Sequence, residues 1–83
     1  MNKKTVVLCD DHNIVRAGLR QIVEGFGDFE VLDDVASGEA LFPLFMKQVP
    51  DVLLLDISLP GRSGLEVLKQ IQSMYPQVAV LAL

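Results

Sequence analysis

The stretch Val52-Leu53-Leu54-Leu55-Asp56 decides the fold of this 83-residue chain. An uninterrupted run of aliphatic residues is typical of a strand that is buried on both faces of a parallel sheet. The stretch Thr5-Val6-Val7-Leu8-Cys9 has the same character, and it also runs into acid, at Asp10 and Asp11. In such sheets ligands bind beyond the carboxyl ends of the strands, so we expect the carboxylates to meet at one edge.

Carboxylates that meet at one sheet edge need a counter-charge. They repel and raise one another's pKa, and a hard divalent ion with oxygen ligands relieves that repulsion. The residues therefore predict a Mg²⁺ or Ca²⁺ site at Asp10, Asp11 and Asp56. Turn formation and helix capping are the alternative role for each aspartate taken alone. His12 is disfavoured as a ligand, because the chain has no second histidine and Mg²⁺ prefers oxygen.

The first half of the chain alternates strand and helix patterns without a linker. We predict strand 1 at 5–9, helix 1 at 13–26 and a short strand 2 at 30–32. Helical spacing predicts one buried face on helix 1, formed by Val15, Leu19, Ile22, Val23 and Phe26. Asp33 and Asp34 follow strand 2, and we expect them to cap a turn or to be solvated.

The second half continues the alternation. We predict helix 2 from a cap at Ser37 to about Lys47, and Pro43 should kink, shorten or displace it. Strand 3 at 52–55 should be central, helix 3 should begin at Ser63 in an S-x-x-E pattern, and strand 4 should span 78–83. The predicted buried face of helix 3 comprises Leu65, Leu68, Ile71 and Met74.

Composition limits the class of protein. A hydrophobic fraction of 51% with 22% charged residues describes one globular domain and excludes a disordered chain. The net charge of −4 argues against a nucleic-acid-binding surface, and the apolar run at 78–83 is too short to span a bilayer. Cys9 is the only cysteine, which fits a reducing cytoplasm and a small buried side chain.

Two segments resemble the receiver domain of two-component response regulators. They are Asp10-Asp11-His12 with the following Val15-Arg16-Ala17-Gly18-Leu19, and Leu55-Asp56-Ile57-Ser58-Leu59-Pro60-Gly61-Arg62-Ser63-Gly64-Leu65-Glu66. The first segment is most similar to the NarL/FixJ-type subfamily. The resemblance implies an α/β fold with a doubly wound, flavodoxin-like (CheY-like) parallel sheet in strand order 2-1-3-4. It also implies a cytoplasmic phosphoprotein that a sensor histidine kinase switches and that controls transcription in its full-length form.

The resemblance also assigns roles to individual residues. Asp56 would be the phosphoacceptor that attacks the phosphorus of a phosphohistidine. Asp11 and Asp56 would bind Mg²⁺ directly, Asp10 would bind it through water, and the backbone carbonyl of Ser58 would complete the protein ligands. The Ser58 side chain would either tune the lifetime of the phosphoryl group or serve only as a turn hydroxyl.

Relative to the family pattern, residues 1–83 correspond to the N-terminal portion of the receiver domain. The family continues with a hydroxyl residue after strand 4, a fourth helix, a fifth strand ending in lysine, a fifth helix and an output domain. DNA binding is expected only through that output domain. We also expect a chain of these residues to self-associate, through strand 4 or through the uncovered sheet face.

Two other classes of function remain open from the sequence. A Mg²⁺-dependent phosphohydrolase of the haloacid-dehalogenase type also uses an aspartate after a strand, although that family has a second aspartate two residues on, where this chain has Ser58. A fragment that only mediates assembly, without phosphotransfer, is the other class. Turnover of a phosphate ester would identify the enzyme, and a single hydroxylamine-labile phosphoryl group would identify the receiver domain.

Overall fold

The computed structural model describes residues 3–58 and 64–83. Its elements are β1 (Lys4–Cys9), α1 (Asn13–Gly25), β2 (Phe29–Val35), α2 (Leu41–Lys47), β3 (Val52–Leu55), α3 (Gly64–Met74) and β4 (Ala79–Ala82). The strands form a parallel sheet in the order β2-β1-β3-β4. The predicted α/β class and strand order are confirmed. Within the described ranges, the helices are all too short or too polar to cross a membrane.

The main core lies on the sheet face that α2 and α3 cover. Alternate residues of β1 and β3 point to this face, where they meet apolar residues of the two helices and Val78. The buried set is Val7, Cys9, Leu41, Phe45, Leu53, Leu55, Val67, Ile71 and Val78. On the opposite face Val6, Leu8 and Val31 form a smaller buried cluster beside α1. Both faces of the central strands are therefore buried, as their uninterrupted apolar sequence predicts.

Strand β2 is longer than predicted, and it contains a bulge. Val6 pairs with Val31 but Val7 pairs with Asp33, so Leu32 is an extra residue on this strand. An extra residue reverses which side chains point to each face. Asp34 consequently lies opposite Leu8, on the α1 face. The expectation that Asp33 and Asp34 follow the strand is wrong, since both lie within it.

The structure answers the question that Pro43 raised. Helix α2 begins at Leu41 with Ala40 as its N-cap, so the predicted start at Ser37 is wrong. Pro43 is the third residue of this helix. The first four amides of a helix have no partner within it, so a proline there removes no hydrogen bond. Of the outcomes expected for Pro43, the structure shows a short helix.

The predicted core face of α1 is only partly buried. Leu19 and Val23 pack on the sheet, whereas Val15 is exposed and Ile22 and Phe26 are 60% and 67% exposed. One helix is about 10–12 Å wide and strands are spaced about 4.8 Å apart, so a single helix covers roughly two strands. Because α1 is the helix that the structure describes on this face, the far side of its apolar stripe remains open.

Helix α3 buries only part of the predicted face, since Ile71 is buried and Leu68 packs partly buried against the core. Gly64, Val67 and Ile71 are buried, whereas Leu65 and Met74 are exposed. Apolar residues occupy two adjacent stripes of this helix, and periodicity alone does not say which one faces the sheet. The predicted start of this helix at Ser63 lies outside the described residues. Strand β4 ends the sheet at Ala79–Ala82, which is shorter than predicted.

Candidate metal centre

The register of the central strands brings the predicted acids together. Cys9 pairs with Leu55, so the next residues, Asp10 and Asp56, leave the sheet side by side. The Asp56 amide donates to the Cys9 carbonyl at 2.9 Å, and the Asp10 amide donates to the Val35 carbonyl at 3.1 Å. Backbone pairing therefore continues to the residues that carry the carboxylates and fixes their positions.

The acids form a compact cluster at the carboxyl edge of the sheet. One potential ligand atom from each of Asp10, Asp11, His12 and Asp56 lies within 4.8 Å of the others. Asp10 and Asp56 are buried, at 4% and 8% exposure, and Asp11 is more open. Negative groups held this close in a partly buried site favour a cation between them.

Ser58 holds the Asp56 carboxylate. Asp56 Oδ1 accepts hydrogen bonds from the Ser58 hydroxyl at 2.7 Å and from the Ser58 amide at 2.9 Å. The hydroxyl and then the amide lower the pKa of Asp56 below its ordinary value, against the effect of burial. Asp56 is therefore ionised at neutral pH. The Ser58 hydroxyl has at least the turn-forming role, and the role of its carbonyl as a ligand stays a prediction.

His12 lies closer to the cluster than the sequence indicated. Asp10 Oδ1 accepts a hydrogen bond from the His12 amide at 2.8 Å and lies 3.0 Å from His12 Nδ1. The hydrogen bond to Asp10 and the charge of Asp11 raise the pKa of His12. The imidazolium form therefore offsets part of the repulsion between these two acids. The signal was an aspartate two residues before the histidine, a spacing typical of a side-chain turn.

Asp11 provides the observation that favours a metal ion. Its Oδ1 atom is buried and has no hydrogen-bond partner among the described residues; it lies 3.1 Å from His12 Nδ1 as an ion pair. A buried carboxylate oxygen without a hydrogen bond is costly, and a coordinated cation removes that cost. The oxygen-rich set of Asp10, Asp11 and Asp56 fits a hard ion such as Mg²⁺.

Cys9 lies next to the cluster but does not contribute a thiolate. Its side chain is buried, and burial, followed by the charges of Asp10 and Asp56, raises its pKa to about 12. The thiol is therefore neutral at physiological pH and is neither a nucleophile nor a soft metal ligand. The predicted role of a small buried side chain is confirmed.

Three residues beside the site were not predicted to contribute to it. Arg16 donates from Nε to Asp34 Oδ1 at 3.0 Å, and Arg20 donates from Nη1 to Asp34 Oδ2 at 2.7 Å. Arg16 also donates from Nη1 to the Asp10 carbonyl at 2.5 Å. No local pattern indicates these contacts, because they depend on the bulge that turns Asp34 toward α1.

The chain matches known proteins along nearly its whole length. The family model described as "Response regulator receiver domain" matches residues 6–83. The transcriptional regulatory protein DegU of Brevibacillus brevis is 39% identical over 82 residues, which are 99% of this chain and 35% of DegU. A nitrate/nitrite response regulator protein homolog of Haemophilus influenzae is 38% identical, over 99% of this chain and 39% of that protein.

Solved structures show the same fold. The isolated receiver domain of RcsB from Salmonella enterica serovar Typhimurium, in the presence of the phosphomimetic BeF3⁻, superposes with a TM-score of 0.90 and is 28% identical. The match covers 98% of this chain and 61% of that domain. A LuxR-family response regulator from Aurantimonas sp. SI85-9A1 gives a TM-score of 0.89 at 28% identity, over 98% of this chain and 58% of the other.

Proposed function

Because this chain belongs to the receiver domains of NarL/FixJ-type response regulators, we propose that Asp56 accepts a phosphoryl group from a sensor histidine kinase with the help of Mg²⁺. The observation that carries the proposal is the convergence of Asp10, Asp11 and Asp56 around a buried Asp11 oxygen that has no hydrogen-bond partner among the described residues. Receiver domains are signalling domains rather than enzymes, so we expect one phosphoryl group per chain and no substrate turnover.

Four residues of the chain would hold the metal ion. Asp11 and Asp56 would hold the ion directly, Asp10 would hold it through water, and the Ser58 carbonyl would be the remaining protein ligand. Bound Mg²⁺ neutralises the charge that would otherwise keep an anionic phosphoryl group away from an anionic nucleophile.

The transfer step requires an ionised carboxylate at Asp56. Ser58 lowers the pKa of Asp56, so no general base is needed to activate it. Both Ser58 hydrogen bonds go to Oδ1, and we therefore assign the attack to Oδ2. A bond forms between Oδ2 and phosphorus, the bond from phosphorus to the kinase imidazole breaks, and the imidazole nitrogen keeps the electron pair and takes up a proton.

The cellular role depends on more than these residues. The chain spans 35% of DegU and 39% of the Haemophilus protein, and 61% of the isolated RcsB receiver domain. We propose that residues 1–83 are the N-terminal portion of a cytoplasmic receiver domain. Transcription control and DNA binding would belong to an output domain. Two observations support this: DegU is described as a transcriptional regulatory protein, and RcsB has been solved in complex with DNA.

An apolar groove on the α1 face supports self-association of a chain of these 83 residues. The groove has a volume of about 290 Å³ between α1 and the sheet, and all of its lining is apolar, including Ile22, Phe26, Leu54 and Leu81. Strand β4 borders the groove and has β3 as its neighbour on one side only among the described strands. Apolar patches and open strand edges both favour contact with a second chain.

Binding of BeF3⁻ tests the proposed function. With Mg²⁺ present, ¹⁹F NMR of the wild-type chain should show bound fluoride resonances from the phosphomimetic. Asp56→Asn should lose them while its circular dichroism spectrum is unchanged. Asp28→Ala, which removes an exposed acid in the turn after α1, is the matched control and should retain them. Equal binding by Asp56→Asn would show that another residue is the acceptor, and steady release of phosphate from a phosphate ester would identify a phosphohydrolase instead.

A further inference from the structure

Arg16 joins three parts of the structure beside the acidic cluster. Its guanidinium donates to the Asp10 carbonyl at 2.5 Å, to Asp34 Oδ1 at 3.0 Å and to Asn13 Oδ1 at 2.8 Å. The Arg16 side chain is only 15% exposed. A cation in the first turn of a helix is opposed by the helix dipole, so this position is unfavourable unless specific contacts compensate for it.

Asp34 holds the Arg16 guanidinium in a fixed position. The bulge at Leu32 places Asp34 opposite Leu8, facing α1, where one carboxylate oxygen accepts from Arg16 and the other from Arg20. A guanidinium is a planar fork whose donors point in fixed directions. With Nε held at Asp34, Nη1 has little freedom, and its hydrogen bond to the Asp10 carbonyl is fixed in direction.

The carbonyl that Arg16 binds belongs to the peptide between Asp10 and Asp11. Because the peptide group is planar, holding this oxygen also fixes the direction in which the chain enters Asp11. The peptide before Asp10 is held separately, through the bond from the Asp10 amide to the Val35 carbonyl. Arg16 therefore helps to orient the start of the Asp11 residue relative to the sheet, together with the hydrogen bond from the His12 amide to Asp10 Oδ1.

We propose that Arg16 is a positioning residue for the divalent-cation site, which acts by holding the Asp10–Asp11 peptide so that the Asp11 carboxylate faces Asp56. This inference rests on the proposed function. Arg16 has two effects of opposite sign on cation binding, since its positive charge repels the ion while its hydrogen bonds preorganise a ligand. The proposal is that preorganisation is the larger effect.

Titration with Mg²⁺ separates the two effects. We expect Arg16→Met and Arg16→Lys to weaken Mg²⁺ affinity about tenfold, as loss of an outer-sphere partner does, because neither side chain can bridge Asp34 and the Asp10 carbonyl. Arg20→Met is the matched control: it removes the same charge beside the same Asp34, has no described bond to Asp10, and should change affinity less than about twofold. If Arg16→Met bound Mg²⁺ more tightly and Arg16→Lys bound it as the wild type does, the charge of Arg16 alone would matter. If both variants bound Mg²⁺ as the wild type does, Arg16 would have no role in cation binding. Either result overturns the proposal.

Amide hydrogen exchange tests the same inference without a metal. In Arg16→Met, exchange at the His12 amide, which donates to Asp10 Oδ1, should accelerate at least about tenfold, while the Asp10 amide, held by the Val35 carbonyl, and the Leu54 amide in the sheet are unaffected. Unchanged exchange at the His12 amide would overturn the inference even if Mg²⁺ binds. If the wild type does not bind Mg²⁺, the proposed function fails and the exchange result still decides the role of Arg16. If Arg16→Met does not fold, Asp34→Ala replaces it, and exchange rates like those of the wild type in that variant would overturn the inference.

Discussion

Thr5 and Asp51 bind each other at the ends of β1 and β3 that lie opposite the acidic cluster. Asp51 Oδ2 accepts from the Thr5 amide at 2.8 Å and from the Thr5 hydroxyl at 3.1 Å, and the Asp51 amide donates back to the Thr5 hydroxyl oxygen at 2.9 Å. These bonds, with the backbone bond first, lower the pKa of Asp51. The two central strands are thus tied together at both ends.

The lowered pKa of Asp51 predicts an acid-labile contribution to stability. Because the folded-state pKa lies below the unfolded-state value of about 3.9, the contribution is present above that value and is lost as pH falls through the folded-state pKa. We expect Asp51→Asn to lower the free energy of unfolding at neutral pH and to reduce its fall below about pH 4. Urea unfolding between about pH 6 and about pH 2.5 measures both. Glu30→Gln, at an exposed position of β2, is the control. If it changed the pH dependence of the free energy of unfolding as much as Asp51→Asn does, the assignment to Asp51 would be contradicted.

Two glycines should respond in opposite directions to the same substitution. A Cβ at Gly38 would lie 2.6 Å from Val67 Cγ2, whereas a Cβ at Gly18 meets nothing within 4 Å. Gly38→Ala should lower the free energy of unfolding by about 1–3 kcal/mol through overpacking. Gly18→Ala, within α1, should raise it by about 0.5–1 kcal/mol. Chemical denaturation measures both.

A double-mutant cycle identifies the cause of the Gly38 effect. If the clash with Val67 is responsible, Gly38→Ala should cost clearly less in a Val67→Ala background. The same cost in both backgrounds would show that the Val67 contact is not the reason.

Removal of Asp11 should separate stability from metal binding. Asp11→Ala relieves repulsion among the acids and deletes a buried oxygen that lacks a hydrogen-bond partner, so the metal-free melting temperature should stay equal or rise. In the wild type, Mg²⁺ at a hundred times its Kd should add about 2.7 kcal/mol to the free energy of unfolding, and in Asp11→Ala this gain should vanish. Thermal melts with and without Mg²⁺ measure both effects. A wild-type melting temperature that is the same with and without Mg²⁺ would refute the metal site.

Self-association should depend on the apolar groove beside α1. Leu81 is 58% exposed on β4 and lines the groove, so Leu81→Lys adds charge to both the groove and the strand edge. We expect the wild-type chain to sediment as an associated species at micromolar concentration and Leu81→Lys to shift it toward monomer. Met46→Lys, at an exposed position of α2, should leave association unchanged. A monomeric wild type would show that the groove does not drive association.

The sheet and the meeting of the acids could be predicted because they depend on local signals. The run 52–55 is apolar throughout and buried at the centre of the sheet, and acids that follow two adjacent parallel strands must meet at one edge. Asp10, Asp11 and Asp56 therefore lie where the sequence indicated.

The rest depends on contacts between segments that are distant in sequence. The bulge at Leu32 leaves no local signature, yet it decides that Asp34 faces Arg16 and Arg20. The exposure of Ile22 and Phe26 likewise depends on what covers the α1 face, which periodicity cannot report. For Pro43 the sequence left a kinked, a short and a displaced helix open, because its effect depends on which residue begins the helix.

Location of the phosphoryl group tests the central claim most directly. The receiver domain, extended beyond residue 83 through the remaining elements of the family pattern, is incubated with a small-molecule phosphodonor and Mg²⁺ and then reduced with borohydride, which converts an aspartyl phosphate to homoserine, and the residue is located by tandem mass spectrometry. We predict homoserine at position 56 in the wild type, and none in Asp56→Asn or when Mg²⁺ is chelated. Homoserine at another position, equal labelling of Asp56→Asn, or no conversion in the wild type would contradict the account.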